Sequence, residues 1–125
     1  MDLKFYVCRH CGNIITKLND SGVSMVCCGE QVSELIPGTV EASKEKHIPV
    51  FTVEGNVVTV NVGSIDHPML PEHYIEWIIV QTNQGFQTKR LAPGDAPKAT
   101  FVLSEGEKFE AVYEHCNLHG LWKAN

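Results

Sequence analysis

A cysteine and a histidine separated by two residues, Cys116 and His119, lie in the stretch 114–122. A thiol and an imidazole at this spacing can reach one metal ion. Cys116 is far in sequence from the other four cysteines and has no obvious disulfide partner, so its sulfur is available as a thiolate ligand or as a nucleophile. A Cys-x-x-His pair alone is a weak signal, so further ligands have to come from elsewhere in the chain.

Three upstream histidines strengthen this signal. They are His47, His67 and His73, and each has a proline beside it or close by. Proline fixes its own φ and restricts the residue before it, so these loops are expected to be stiff and to hold their imidazoles in a set direction. The alternative is that some of these histidines are unrelated surface residues. We expect the second half of the chain to bring the three segments together around one iron.

The number of candidate ligands bears on the choice of metal. Four histidines and one cysteine exceed the four ligands that zinc normally takes in a closed tetrahedron. Four nitrogens and one sulfur fit a square pyramid, which suits ferrous iron and leaves the position opposite Cys116 open. An axial thiolate donates electron density to whatever binds there, so the pattern indicates redox chemistry on a small oxygen species. His115 neighbours Cys116 on a predicted strand and should point the other way, so it is excluded as a ligand.

The first 36 residues hold the other four cysteines, as Cys8-x-x-Cys11 and the vicinal pair Cys27-Cys28. The first pair is typical of a metal knuckle, in which Gly12 lets the turn close. So short a segment cannot bury a stable apolar core, so we expect a structural ion to stabilise it. Two disulfides, or a vicinal bridge at Cys27-Cys28, are the alternative, although both suit an oxidising compartment better.

Four thiolates suit zinc and iron alike. Most zinc ribbons have two Cys-x-x-Cys knuckles, whereas Cys-x-x-Cys followed by Cys-Cys resembles desulforedoxin, a small rubredoxin-like iron protein. Its adjacent thiolates would open one S–Fe–S angle and distort the tetrahedron. His10 lies inside the knuckle and is interpreted as a surface residue, because four thiolates are already at hand.

Length and charge limit the class of protein. A chain of 125 residues can hold one small domain plus a larger one. There is no apolar run long enough to span a membrane and no secretory signal, so we expect a cytoplasmic location, where clustered thiols more often bind metal. The net charge of -5 argues against nucleic acid or an anionic membrane as a partner. An anionic substrate would need a locally positive entrance.

The pattern of turns and short apolar runs predicts a mainly β chain. Pro37-Gly38 is the predicted boundary between domains 1–36 and 37–125, and Thr39 is expected to cap a single helical turn over 39–45. The first domain is predicted to be a small rubredoxin-type metal module and the second an immunoglobulin-like β-sandwich. Trp77 is predicted to be a core residue. Trp122 is expected to shield the loop of Cys116 and His119, with ordinary packing as the alternative. The predicted strands are 4–7, 23–26, 50–54, 57–62, 74–80, 86–91, 99–103 and 109–114.

Taken in order, these segments resemble desulfoferrodoxin, the two-iron class of superoxide reductase, along nearly the whole chain. The residues that carry the resemblance are Cys8-Arg9-His10-Cys11-Gly12-Asn13, Cys27-Cys28-Gly29, Glu45-Lys46-His47-Ile48-Pro49, His67-Pro68-Met69, His73-Tyr74-Ile75-Glu76-Trp77 and Cys116-Asn117-Leu118-His119-Gly120-Leu121-Trp122. The resemblance implies two irons per chain. The implied ligands are Cys8, Cys11, Cys27 and Cys28 for a tetrathiolate iron, and equatorial His47, His67, His73 and His119 with axial Cys116 for a square-pyramidal iron.

The resemblance implies one-electron reduction of superoxide to hydrogen peroxide at the second iron, with a rubredoxin-like protein as the electron donor. Glu45 and Lys46 are the predicted catalytic residues. The Glu45 carboxylate is expected to take the sixth position of the oxidised iron, and Lys46 to attract the anion and position a proton-delivering water. The family also implies a homodimer and an anaerobic or microaerophilic cell. Whether the tetrathiolate iron relays electrons or is structural stays open.

Two other classes of function stay open on the sequence. One is a non-enzymatic electron carrier, and the other is a zinc-stabilised binding protein without a redox role. Two irons and a visible ferric-thiolate band would favour the enzyme, whereas a colourless two-zinc protein would exclude it.

Overall fold

The computed structural model describes residues 2–125, and contacts divide the chain into two compact units, one ending at Ile36 and the other spanning Pro37–Asn125. Within the described residues, the structure consists of short strands and a single helical turn, so the predicted mainly β fold class is confirmed. No helix among these residues has the length and apolar character needed to span a membrane.

The first unit contains five short strands around the cysteines. They are β1 (Phe5–Val7), β2 (Ile14–Thr16), β3 (Val26–Cys27), β4 (Glu30–Gln31) and β5 (Ser33–Leu35). Strand β1 lies between β2 and β5 in an antiparallel sheet, and β3 pairs with β4 in a separate hairpin. Among residues 2–36, only Phe5 and Cys8 are fully buried. Apolar burial therefore contributes little here, which agrees with the need for a stabilising ion.

The predicted strand over 23–26 is wrong for most of its length, because β3 begins only at Val26. The backbone upstream of it is satisfied by isolated contacts rather than by a ladder. The Lys17 ammonium donates to the carbonyl of Val23 at 2.7 Å, and Val32 N–H donates to the carbonyl of Met25 at 3.0 Å. Strands β2 and β5, which were not predicted, are too short to show an alternating pattern.

The second unit contains seven antiparallel strands in two sheets. They are β6 (Pro49–Glu54), β7 (Val57–Val62), β8 (Ile75–Thr82), β9 (Gly85–Arg90), β10 (Lys98–Val102), β11 (Phe109–Cys116) and β12 (Gly120–Ala124). One sheet has the order β10-β7-β6 and the other β12-β11-β8-β9. Six strands lie within two residues of their predicted bounds, and Gly55-Asn56 joins β6 to β7 as predicted. The sequence analysis did not identify β12.

The two sheets enclose one apolar core, which makes this unit the predicted sandwich. Along β7, Val58, Val60 and Val62 are fully buried, as the period of two requires for one face of a strand. The opposite sheet contributes from β8 and β11. Fully buried core side chains outside β7 include Ile75, Ile78, Val80, Phe101, Val112 and Cys116.

The helical turn lies later than predicted, at α1 (Lys44–His47) instead of 39–45. Ser43 precedes it and makes no side-chain capping hydrogen bond. Pro49 ends the turn, because a residue before proline is driven out of the helical region, and Ile48 is extended with φ -68° and ψ 120°. The turn therefore delivers His47 directly before β6.

Trp77 was predicted in the core, and this is wrong. It is half-buried on the outer face of β8, where its ring stacks on His115 with centroids 5.5 Å apart and an angle of 15°. Its neighbour Ile78 points into the core instead. An aromatic strand residue gives no indication by itself of which face it occupies.

We expect Phe101→Ala to lower the free energy of unfolding by about 3–5 kcal/mol, because Phe101 is fully buried between the sheets and its loss leaves a cavity. Urea unfolding of the metal-loaded protein measures this. Val102→Ala is the control, since Val102 is the next residue on β10 and is 61% exposed. Equal losses in the two variants would contradict the assigned core.

Candidate metal centres

The first cluster contains the four thiols of the N-terminal unit, whose sulfur atoms lie within 4.8 Å of one another. The knuckle is closed by Gly12 N–H, which donates to the carbonyl of Cys8 at 2.9 Å. Cys28 has φ 53°, in the left-handed region that side chains rarely adopt, and this turn brings two consecutive sulfurs into the same cluster. The members are Cys8, Cys11, Cys27 and Cys28. All are free thiols, so the disulfide alternative is not the arrangement found.

The thiols of this cluster differ in acidity. The backbone N–H groups of Cys11 and His10 lower the pKa of Cys8 to about 6, whereas hydrogen bonds with Cys8 and Cys11 raise the pKa of Cys27 to about 12. One thiolate therefore forms readily, and its neighbours resist a second negative charge. A cation would relieve that repulsion, and four soft thiolates suit zinc or iron.

His10 lies outside this cluster, as predicted. It is exposed, and its Nε2 is 3.1 Å from a carboxylate oxygen of Glu30. Such an exposed pair contributes little to stability.

The second cluster lies at one end of the sandwich. Nε2 of His47 is 3.2 Å from Nε2 of His67 and 3.1 Å from Nδ1 of His119, which is itself 3.8 Å from the sulfur of Cys116. One ligand atom each from His47, His67, His73 and Cys116 lie within 4.8 Å of one another. The structure thus brings together all five residues that the sequence singled out for this site.

Backbone carbonyls orient two of the imidazoles. Nδ1 of His47 lies 2.7 Å from the carbonyl of Ser43, and Nδ1 of His67 lies 2.6 Å from the carbonyl of Pro68. A carbonyl only accepts, so both Nδ1 atoms carry the proton and both Nε2 atoms present a lone pair. This is the arrangement that a metal-binding histidine needs.

Trp122 packs against the cluster from β12, which agrees with the expected shielding and equally with ordinary packing. It is 3% exposed, its ring lies 5.1 Å from that of His47, and its Nε1–H donates to the carbonyl of His119 at 3.1 Å. One side chain thus packs against two of the imidazole residues.

Burial sets the protonation of this cluster. It lowers the pKa of His47 and His73, and it lowers that of His67 to about 4, so the three rings are neutral near pH 7. Burial also raises the pKa of Cys116, although the N–H groups of Leu118 and His119 act in the opposite direction. A bound cation would convert this thiol to a thiolate, while the neutral imidazoles are already in the form that binds metal.

One buried nitrogen tests whether a metal ion fits this cluster. Nε2 of His73 is buried and has no hydrogen-bond partner among the described residues. An unpaired buried polar atom is costly, and a metal ion at the centre of the cluster would satisfy it. Four nitrogens and one sulfur are therefore a donor set that fits a transition metal.

Two acidic residues near Cys116, Glu76 and Glu114, differ in their hydrogen-bond partners. Glu76 binds Nδ1 of His115 at 2.7 Å on the outer face, which confirms that His115 is not a ligand. Glu114, to which the sequence analysis gave no role, is fully buried, and neither carboxylate oxygen has a partner within residues 2–125. Burial raises the pKa of Glu114, which lies two residues from Cys116, well above its usual value. The sequence signal that could have identified Glu114 was an acidic residue within an otherwise apolar strand.

Glu45 and Lys46 are exposed on α1, directly before His47. Burial lowers the pKa of His47 most, followed by the neighbouring histidines, and the charge of Lys46 lowers it further. The Lys46 ammonium therefore acts on the cluster from the solvent side.

The sequence and the fold of this chain are similar to those of known proteins. A family model described as desulfoferrodoxin matches residues 39–125. The desulfoferrodoxin of Nitratidesulfovibrio vulgaris is 46% identical over 121 residues, covering 97% of this chain and 94% of that protein. The superoxide reductase of Treponema pallidum is 41% identical, with a TM-score of 0.84 and full coverage of both chains. The superoxide reductase (1Fe-SOR) of Giardia intestinalis is 32% identical, with a TM-score of 0.51, and covers 65% of this chain and 96% of its own.

We expect the two clusters to lose metal independently, because their ligands lie in different units. Cys11→Ser should remove or perturb the first metal only, and Cys116→Ser the second only. Metal content and the absorption spectrum of each purified variant measure this. Loss of both metals in either variant, with the fold intact by circular dichroism, would contradict the assignment.

Proposed function

This chain belongs to the desulfoferrodoxin family, and we propose that it is a superoxide reductase, which reduces superoxide to hydrogen peroxide at the second cluster. The observation that carries the proposal is the convergence of four imidazoles and one thiol around the unpaired Nε2 of His73. The Treponema pallidum protein, which is similar over its full length, is a superoxide reductase.

We propose iron in both clusters. Five donors exceed a zinc tetrahedron, and Cys8, Cys11, Cys27 and Cys28 supply four thiolates for the other ion. His47, His67, His73, His119 and Cys116 would hold ferrous iron, which would supply the one electron that superoxide takes up. Two protons complete the conversion to hydrogen peroxide.

The surrounding residues prepare the site for this reaction. Cys116, buried in the core, provides a negative sulfur whose electron density favours transfer to the substrate. The carbonyls of Ser43 and Pro68 fix the proton of two imidazoles on Nδ1, so that Nε2 of each is directed inward with a lone pair. Trp122, which is buried against His47, shields the inner side of the site from water.

Glu45 and Lys46 act at the solvent side of the site. Superoxide is an anion and the protein carries a net charge of -5, so local attraction by Lys46 has to offset the overall field. Lys46 also positions a water that delivers a proton. The Glu45 carboxylate would be a ligand of the oxidised iron.

We further propose that residues 1–36 and 37–125 are separate functional domains. The Giardia intestinalis protein, a superoxide reductase described as 1Fe-SOR, covers 65% of this chain, and the family model matches residues 39–125. Together they support placing the reaction in the second domain. The first iron then has a structural or electron-transfer role. The proposed setting is a cytoplasmic homodimer that receives electrons from a rubredoxin-like donor.

The reaction itself is tested by its stoichiometry. Reduced protein mixed anaerobically with superoxide should form one hydrogen peroxide for each superoxide consumed, without oxygen. Oxygen evolution with half as much peroxide would indicate dismutation and contradict a reductase. A chain that holds two zinc ions and does not react would exclude redox function altogether.

We expect Lys46→Ala to slow the second-order reaction with superoxide and to flatten its dependence on ionic strength. An ammonium about 4 Å from the anion contributes roughly 1 kcal/mol in water and about 4 kcal/mol at intermediate dielectric. The rate should fall by about five-fold to several-hundred-fold. Pulse radiolysis at low and high salt measures it.

Two variants control this measurement. Lys108→Ala makes the same change in net charge directly before β11, at the end of the strand away from Cys116. It should leave the rate nearly unchanged. Glu45→Ala should also leave the first step nearly unchanged, but shift the oxidised spectrum. Equal rates for Lys46→Ala and the parent protein at both salt concentrations would remove Lys46 from the mechanism.

A further inference from the structure

We propose that the turn 63–65 is a brace that fixes the backbone of Glu45 and so determines where the Glu45 carboxylate and the Lys46 ammonium lie. The inference rests on the function proposed above for the second cluster. Gly63 and Ser64 are then positioning residues, which act through Glu45 and Lys46 and touch no substrate themselves.

The need for a brace follows from the sequence of α1. In a helix the carbonyl of Glu45 would accept from the N–H four residues later, but that residue is Pro49, which has no N–H. The turn 63–65 supplies the missing donors. Ile65 N–H lies 3.1 Å and the Ser64 hydroxyl 3.2 Å from the Glu45 carbonyl oxygen.

Close packing of Gly63 against the same segment also holds the backbone of Glu45. Gly63 is buried, and a Cβ added to it would lie 2.5 Å from the carbonyl oxygen of Glu45 and 2.9 Å from that of Ile48. It would also lie 3.1 Å from the carbonyl carbon of Lys46. These are backbone atoms, which cannot rotate aside as the end of a side chain can. Glycine is therefore required at position 63 by the approach of two backbones.

The brace is itself anchored to the core and to a ligand. The Asn61 amide donates to the carbonyl of Gly63 at 2.7 Å and to the Asp66 carboxylate at 2.9 Å. His67 N–H donates to the carbonyl of Val62, the buried last residue of β7, at 2.8 Å. One short loop thus carries His67 and grips the segment that carries His47. The backbone from which the exposed Glu45 and Lys46 side chains extend is held in place in this way.

The first test is Gly63→Ala in the iron-loaded protein. The added methyl group should push the segment of Glu45 outward, so the oxidised spectrum should shift toward that of Glu45→Ala and the rate with superoxide should fall toward that of Lys46→Ala. Gly106→Ala is the control for general destabilisation, because Gly106 has a φ of 80°, which is strained for alanine, whereas an added Cβ there meets nothing within 4 Å. It should lose stability and keep the parent spectrum.

A double variant separates positioning from general destabilisation. If Gly63 acts on the oxidised spectrum through Glu45, Gly63→Ala combined with Glu45→Ala should have the spectrum of Glu45→Ala alone. Additive spectral shifts, or a Gly63→Ala protein with the parent spectrum and rate, would overturn the proposal.

Serine variants keep the test available if Gly63→Ala does not fold. Ser64→Ala removes one donor and adds no atom, so it should shift the oxidised spectrum in the same direction to a smaller extent, and Ser64→Thr should restore the parent spectrum. Ser104→Ala, at an exposed serine beyond β10, is the control. No difference between Ser64→Ala and Ser104→Ala would overturn the role of the hydroxyl in the brace.

Hydrogen exchange of the Ile65 amide tests the brace without reference to activity. The parent should protect this amide, and Ser64→Ala, which loosens the shared acceptor, should exchange it about two- to tenfold faster. Rapid exchange in a parent protein that reduces superoxide would overturn the brace alone. A protected amide in a parent that leaves superoxide unchanged would support the brace geometry while the proposed function fails.

Discussion

The second cluster depends on one constraint, the close approach of ligand atoms that present lone pairs to one another. Nε2 of His47 lies just over 3 Å from ring nitrogens of both His67 and His119. Because Nδ1 of His47 and of His67 already donates to a carbonyl, their facing Nε2 atoms both present lone pairs. Such atoms repel one another unless a cation lies between them. The sandwich core, Trp122 and the proline-bounded loops hold the donors in place against that repulsion.

The two centres relate to their folds in opposite ways. The N-terminal unit buries little besides Phe5 and Cys8, so its ion has to supply the stability that a core would otherwise give. The sandwich has a continuous core that reaches Cys116, so its fold forms the binding site and the ion completes it. Binding energy stabilises the fold in the first case, and folding energy prepares the site in the second.

Local spacing was sufficient to predict which side chains meet. Cysteines two residues apart, and histidines next to proline, reveal their chemistry within a few residues. Features that depend on distant pairing were not predictable in the same way. The helical turn was predicted too early in the sequence, because its position is set by Pro49, which ends it. Trp77 was assigned to the wrong face of β8. The burial of Glu114 and the grip of Gly63 on the Glu45 backbone require knowledge of which strands are neighbours.

The order of the ligands along the chain also orders the assembly of the protein during synthesis. The first cluster is complete once Cys28 has been made, whereas the second joins His47 to His119, 72 residues later. At about 5–20 residues per second, seconds pass in which early histidines are exposed without Cys116. Imidazoles alone bind copper or zinc more tightly than ferrous iron. Correct metallation therefore depends on β11 docking against β8 before another metal is captured.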